Sequence, residues 1–168
     1  MSVLNQPKNT NDPCLNMQRD RVIHRGLWMG LLLKQMKERG LDWKQIGTDA
    51  MFECGCIHCE AIKKAMAVPG GMIAFCNAFF TENIKEIFEI DIKELNEDVL
   101  RLEYGHCPLL TAWQSLGFEG EILDKVCDIA MDGGRGIVSK HPEFEFKLGR
   151  TLAQGHKACE VSFVWKKS

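Results

Sequence analysis

From Arg19 onward, apolar residues recur at Ile23, Leu27, Leu31 and Met36, the spacing of a helix that Asp20 would cap and Gly40 would stop. A second helix is expected from Trp43 to Ala67, because Asp42 followed by Gln45 resembles a capping box and Pro69-Gly70-Gly71 ends the run. Met72 to Phe80 is apolar throughout, a pattern common to buried helices and strands, and we read it as a helix. The period then changes. Phe88, Ile90 and Ile92 alternate with charged residues, a turn follows at Asn96-Glu97-Asp98, and Leu100, Leu102 and Tyr104 alternate with Arg101 and Glu103, which predicts a hairpin with one wet face. Pro108 opens a helix through Trp113, and a further helix runs from Glu119 to Met131, with Gly133-Gly134 as its stop. Phe144, Phe146 and Leu148 mark a third strand, and Cys159, Val161, Phe163 and Trp165 share one face of a fourth. The predicted fold is α+β: an N-terminal helical layer on a four-stranded antiparallel sheet, with two helices inserted between strands two and three. Gly26 and Gly30 lie on one helix face, where a neighbouring helix could approach closely.

Composition narrows the class without naming a function. A chain of 168 residues with 45% apolar residues and a net charge of −2 fits a soluble domain and gives no reason to expect nucleic acid or an anionic membrane as partner. Residues 1 to 18 are polar and aperiodic and read as a mobile tail without a signal-peptide core; residues 19 to 168 form the expected single domain. The apolar run at Leu27 to Leu33 is too short to span a bilayer, so a cytoplasmic protein is expected. Eight unevenly spaced cysteines in such a chain predict reduced thiols, several of them buried. Pairing of two copies through exposed apolar helices is a further expectation.

Candidate chemistry centres on Cys107. It precedes Pro108 and should be an N-cap facing unpaired backbone N–H groups, where a thiol ionises easily; His106 is its neighbour in the chain. Cys127 and Cys159 lie on other elements of the same half and could converge with it, although either is also an ordinary core filler. Asp128 and Asp132 share a helix face near its expected end, where two carboxylates oppose the dipole and need a partner: a cationic substrate, or simply Lys125 and Arg135. Arg135 and Arg150 are candidates to hold a carboxylate, and His156, in a turn beside Gly155, suits acid–base work. The run Cys54-Gly55-Cys56-Ile57-His58-Cys59 invites a metal, but its spacing matches neither a zinc pair drawn from separate segments nor an iron–sulfur motif, so no metal and no cofactor are expected.

Three segments, Glu103 to Gly117 with its Gly105-His106-Cys107-Pro108 centre, Val126 to Asp132, and Leu148 to Cys159 with Gly149-Arg150-Thr151 and Gln154-Gly155-His156, resemble the L-2-amino-thiazoline-4-carboxylic acid hydrolase family. That resemblance implies a hydrolase opening a cyclic amidine or isothiourea toward cysteine derivatives, with a small molecule as partner. The same half is remotely similar to small-molecule-binding domains of the vinyl-4-reductase type, in which a cysteine before a helix and another in the last hairpin help to bind zinc. Cys107 and Cys159 match those two positions, but Leu148 and Thr151 stand where the other ligands would fall, which preserves a pocket and removes the zinc. On chemical grounds alone, Cys107 is the expected nucleophile and His106 or His156 its acid–base partner. Asp128 and Asp132 would face the cationic end, Arg135 or Arg150 the carboxylate, and Cys127 and Cys159 the substrate. The alternative is a non-enzymatic binding or sensor domain built on the same pocket.

Overall fold

The computed structural model describes residues 5–65 and 71–166. Helix α1 spans Pro13–Glu38 and α2 Trp43–Ala65; the short α3 (Met72–Phe79) and α4 (Glu82–Phe88) follow. The hairpin β1 (Ile90–Leu95) and β2 (Val99–Tyr104) leads to α5 (Pro108–Ser115) and α6 (Gly120–Ser139), and then to β3 (Phe144–Leu148) and β4 (Cys159–Trp165). All strand pairs are antiparallel in the order β1-β2-β4-β3, so α5 and α6 are the two helices inserted between β2 and β3. The α+β architecture is as the alternation predicts. One sheet face, with Leu100, Leu102, Phe144, Val161 and Phe163, is buried beneath Met72 and Phe75 of α3 and Ile62 of α2.

Four local readings are corrected. Helix α1 begins seven residues before Asp20, because Pro13 occupies its first turn and the Asp12 carboxylate accepts from the N–H groups of Cys14 and Leu15. Residues 13–18, read as part of an aperiodic tail, are thus helical, and Asn5 is buried. Phe88 belongs to α4 rather than to a strand: Thr81 caps that helix, and Glu89 leaves it in the left-handed region at φ 49°. Finally, α6 runs straight through Gly133-Gly134 to Ser139. The expected capping box survives in part, since Asp42 accepts from the Gln45 N–H at 3.1 Å. The expected extension of α2 to Ala67 and its Pro69-Gly70 stop lie outside the described residues.

Two glycines, Gly55 of α2 and Gly136 of α6, are there for contact. A Cβ on Gly55 of α2 would sit 2.1 Å from the Gly133 carbonyl oxygen, and one on Gly136 would sit 2.1 Å from the Phe52 carbonyl oxygen, so α2 and α6 touch backbone to backbone. Gly26 does similar service between α1 and α5, where a Cβ would meet that of Ala112 at 2.8 Å. Backbone atoms cannot step aside as side chains do, and overpacking costs about 1–3 kcal/mol or more. We therefore expect Gly55→Ala to lower stability by about 3 kcal/mol in chemical denaturation. At Gly133 the nearest contact to an added Cβ is the flexible Met51 Cε at 3.6 Å, and Gly133→Ala should leave stability within about 1 kcal/mol of the wild type. Equal losses at both positions would refute the backbone-contact account.

Candidate functional site

Where α5, α6 and β4 meet, a small cavity of about 40 Å³ is lined by Phe88, Tyr104, Cys107, Leu109, Leu110, Trp113, Cys127, Met131, Ala153, Cys159 and Val161. Three of the eight cysteines thus meet around one hollow. Each arrives by a local rule. Cys107 is the N-cap of α5 in extended backbone before Pro108; Cys127 lies on the buried face of α6; and Cys159 is the first inward residue of β4, paired with Tyr104 of β2.

The sulfurs differ in their surroundings. Burial pushes the Cys107 thiol up to about 12, outweighing the opposing pull of the Leu110 and Leu109 amides. No side-chain cap hydrogen bond forms at that helix start, so the easily ionised thiol expected from the helix end is corrected: desolvation wins over the dipole. Cys127 lies beside Cys159, and that neighbour together with burial raises its pKa. Cys159 takes a hydrogen bond from the Leu152 N–H at 3.2 Å, and its Cys127 neighbour together with this donor holds it below the ordinary thiol value despite burial. The Tyr104 hydroxyl is pushed up by burial and stays protonated.

On the far side of the Arg150–Lys157 loop lies an open groove of about 300 Å³, lined by Lys44, Glu121, Asp124, Lys125, Asp128, Leu148, Thr151 and Gln154. Loop and helix serve both hollows. Thr151 and Gln154 face the groove while Ala153 faces the cavity, and on α6 Asp124 and Asp128 face the groove while Cys127 faces the cavity.

The remaining expected site residues stand elsewhere. His106 is buried but does not line the cavity; its Nδ1–H donates to the Asn5 carbonyl at 2.9 Å, and burial lowers its pKa. Asp128 and Asp132 are not at a helix end but within α6, and they take their counter-charge from the protein: Arg135 donates to Asp128 at 2.7 Å and to Asp132 at 2.8 Å, and Lys125 donates to Asp128 at 2.9 Å. Burial pushes the Asp128 carboxyl up, but Lys125 and Arg135 outweigh it and hold the carboxyl below the usual range. The Arg135 guanidinium is thereby spent on α6 itself. Arg150 is exposed and pairs with Glu160 at 2.5 Å, and His156 is exposed on the loop.

The Cys54 to Cys59 run is divided among different surroundings. Cys54 is exposed, Cys56 bonds the Gly136 carbonyl at 3.5 Å, His58 meets the edge of Phe79, and Cys59 is buried. Among the described residues, no group of three or more His, Cys, Asp or Glu side chains is arranged to hold a metal ion. Leu148 and Thr151 face the groove and supply no ligand to Cys107 or Cys159.

A model of the L-2-amino-thiazoline-4-carboxylic acid hydrolase family matches residues 20–163. The chain belongs to this family. The match takes in most of α1 and all of α2 to α4 as well as the second half, and so covers the whole wall of the cavity. No curated protein matches the chain. No described helix is long and apolar enough to cross a membrane.

Asn5 was invisible to periodicity. Its side chain accepts from the Cys107 N–H at 2.8 Å and donates to the Cys107 carbonyl and to Thr111 Oγ1, both at 3.0 Å. Arg19 anchors the rest of this N-terminal strap, residues 5–12, through the Asn9 carbonyl at 2.5 Å and Glu89 at 3.1 Å. The only local hint is an asparagine, a residue able to mimic a backbone pair with its two amide ends. Asn5→Ala would leave the Cys107 N–H buried without a partner, and we expect it to cost about 2 kcal/mol in thermal or denaturant unfolding. An unchanged midpoint would show that the strap contributes nothing.

The depressed His106 pKa has a defined sign. The unfolded chain takes up the proton first, so the stability tied to neutral His106 is present above about pH 6.5 and is lost as the pH falls through the lower folded value. Stability measured from pH 7 to pH 5 should therefore fall, with a shallower slope in His106→Gln. Parallel slopes would remove His106 as the cause.

Proposed function

We propose that this chain is a hydrolase that opens a cyclic amidine or isothiourea such as 2-amino-thiazoline-4-carboxylate, with the three-thiol cavity as the reacting centre. The observation that carries the proposal is the coincidence of family membership with three sulfurs around a single hollow, one of them bonded by the Leu152 amide. The ring carbon between sulfur and nitrogen is electrophilic, above all when the amidine is protonated, and a soft nucleophile suits it. The ring sulfur leaves as a thiolate, a leaving group good enough to need no strong acid.

A space of about 40 Å³ holds roughly one water molecule and not a carboxylated ring. Substrate entry therefore involves displacement of the Arg150–Lys157 loop, which separates the cavity from the groove. Such a substrate carries both an amidinium and a carboxylate. The groove's Lys44 and Asp124 support its docking there, in place of the roles first given to Asp128, Asp132, Arg135 and Arg150. His156, exposed on the same loop, keeps the acid–base role, while His106, turned to Asn5, is reassigned to holding the Cys107 turn. No residue of this proposal calls for a metal or another cofactor. Eight free thiols support a reducing, cytoplasmic setting, and the exposed Trp28, Leu31 and Leu32 of α1 support pairing of two copies.

Incubation of the full chain with 2-amino-thiazoline-4-carboxylate, followed by assay of released thiol, should show catalytic turnover. Binding without turnover, seen by calorimetry with this compound or a related cyclic isothiourea, would instead favour the non-enzymatic binding domain.

A further inference from the structure

Three sulfurs border the cavity, and their hydrogen bonds distinguish them. Cys107 caps a helix without a side-chain cap bond, and Cys127 lines the same hollow from the buried face of α6. Cys159 takes a hydrogen bond of full geometry, from the Leu152 N–H at 3.2 Å, and its sulfur also lines the hollow beside Cys127. In an apolar site a negative charge persists where donors are already aimed, since elsewhere it loses its hydration without replacement. We propose that Cys159 is the attacking sulfur of this site, oriented by the Leu152 amide, with Cys127 as a positioning residue beside it. The inference rests on the hydrolase reading and names the nucleophile within it.

The step balances without an external oxidant or reductant. The Cys159 thiolate adds to the amidinium carbon of the ring, and the electron pair of the carbon–nitrogen double bond moves to nitrogen, leaving a neutral tetrahedral carbon. Collapse breaks the bond from that carbon to the ring sulfur, which departs as a thiolate and takes a proton from solvent. The carbon remains on Cys159 as an isothiouronium. Water then adds to it with loss of a proton, and Cys159 leaves as a thiolate, releasing an N-carbamoyl derivative of cysteine and a second proton. Cys107 keeps its proton throughout, as its burial demands.

Two features of the fold fit this assignment. Cys159 begins β4 next to the loop that must move for substrate to enter, and the amide that orients it belongs to that loop. Opening the loop therefore removes one donor at the moment the sulfur becomes accessible, and closing over bound substrate restores it. Cys127, on α6, stays in place beside the sulfur in both situations.

The test is site-resolved alkylation of the wild-type chain by iodoacetamide from pH 5 to pH 10, read by mass spectrometry of each cysteine peptide. Cys159 should be alkylated with a midpoint below that of the exposed Cys14 and Cys54, Cys107 should be the slowest of the three cavity thiols, and Cys127→Ala should move the Cys159 midpoint upward. Acid quenching during turnover should leave the substrate-derived mass on the Cys159 peptide, and Cys159→Ser, checked for folding by circular dichroism, should lose at least about a thousandfold in kcat. If turnover is present but the low midpoint and the trapped mass belong to Cys107, the Cys159 assignment falls while the hydrolase reading stands. Should Cys159 show the low midpoint and Cys127 dependence with no cyclic isothiourea turned over, the hydrolase reading falls and, with it, the attack assigned to this sulfur, leaving only its ionisation.

Discussion

Withdrawal of three thiols from water into one apolar hollow governs what this molecule can do. A sulfur so placed loses the hydration that would support its charge, and a backbone donor or a neighbouring S–H is the remaining replacement. At Cys107 the amides of α5 fall short of the cost of burial, and the proton stays. At Cys159 the Leu152 amide and the Cys127 thiol together exceed it. The difference between two cysteines of similar burial is thus a difference in neighbours.

That arrangement depends on the position of α6, which brings Cys127 to β4. The helix is set by backbone contact with α2, where Gly55 meets the Gly133 carbonyl and Gly136 the Phe52 carbonyl, closer than a side chain on Gly55 or Gly136 would allow. A second restraint comes from the chain's beginning, where Asn5 brackets the Cys107 peptide and its carbonyl engages His106. Between these supports, the loop joining β3 to β4 is the element with exposed residues on one side and cavity-facing residues on the other. It is the part of the wall best placed to move without disturbing the core.

The strands and the order of elements were legible in the chain because the sheet has one wet face, so that Leu100, Leu102, Phe144 and Val161 alternate with charged neighbours. What escaped notice had causes at long range. Gly133-Gly134 carries the local signature of a helix stop, yet it lies within α6 because another helix needs the space. Phe88 continues the alternation of β1 but ends α4, a helix of seven residues too short to show a period. Asn5 holds the Cys107 turn from 102 residues away, and nothing in its neighbourhood announces the contact. At the site, proximity in sequence misled: His106 adjoins Cys107 but faces the strap, whereas Cys127 and Cys159, read first as supporting players, stand side by side at the cavity. Asp128 and Asp132 found the duller of their two candidate partners, Lys125 and Arg135.

The claim at the centre of this account is that charge in the cavity resides on Cys159. Ultraviolet absorbance of the thiolate, followed as pH is lowered below the range in which ordinary thiols ionise, tests it most directly. The account predicts a residual thiolate band in the wild type that persists in Cys107→Ala and vanishes in Cys159→Ala. A band that vanishes in Cys107→Ala and persists in Cys159→Ala would contradict it.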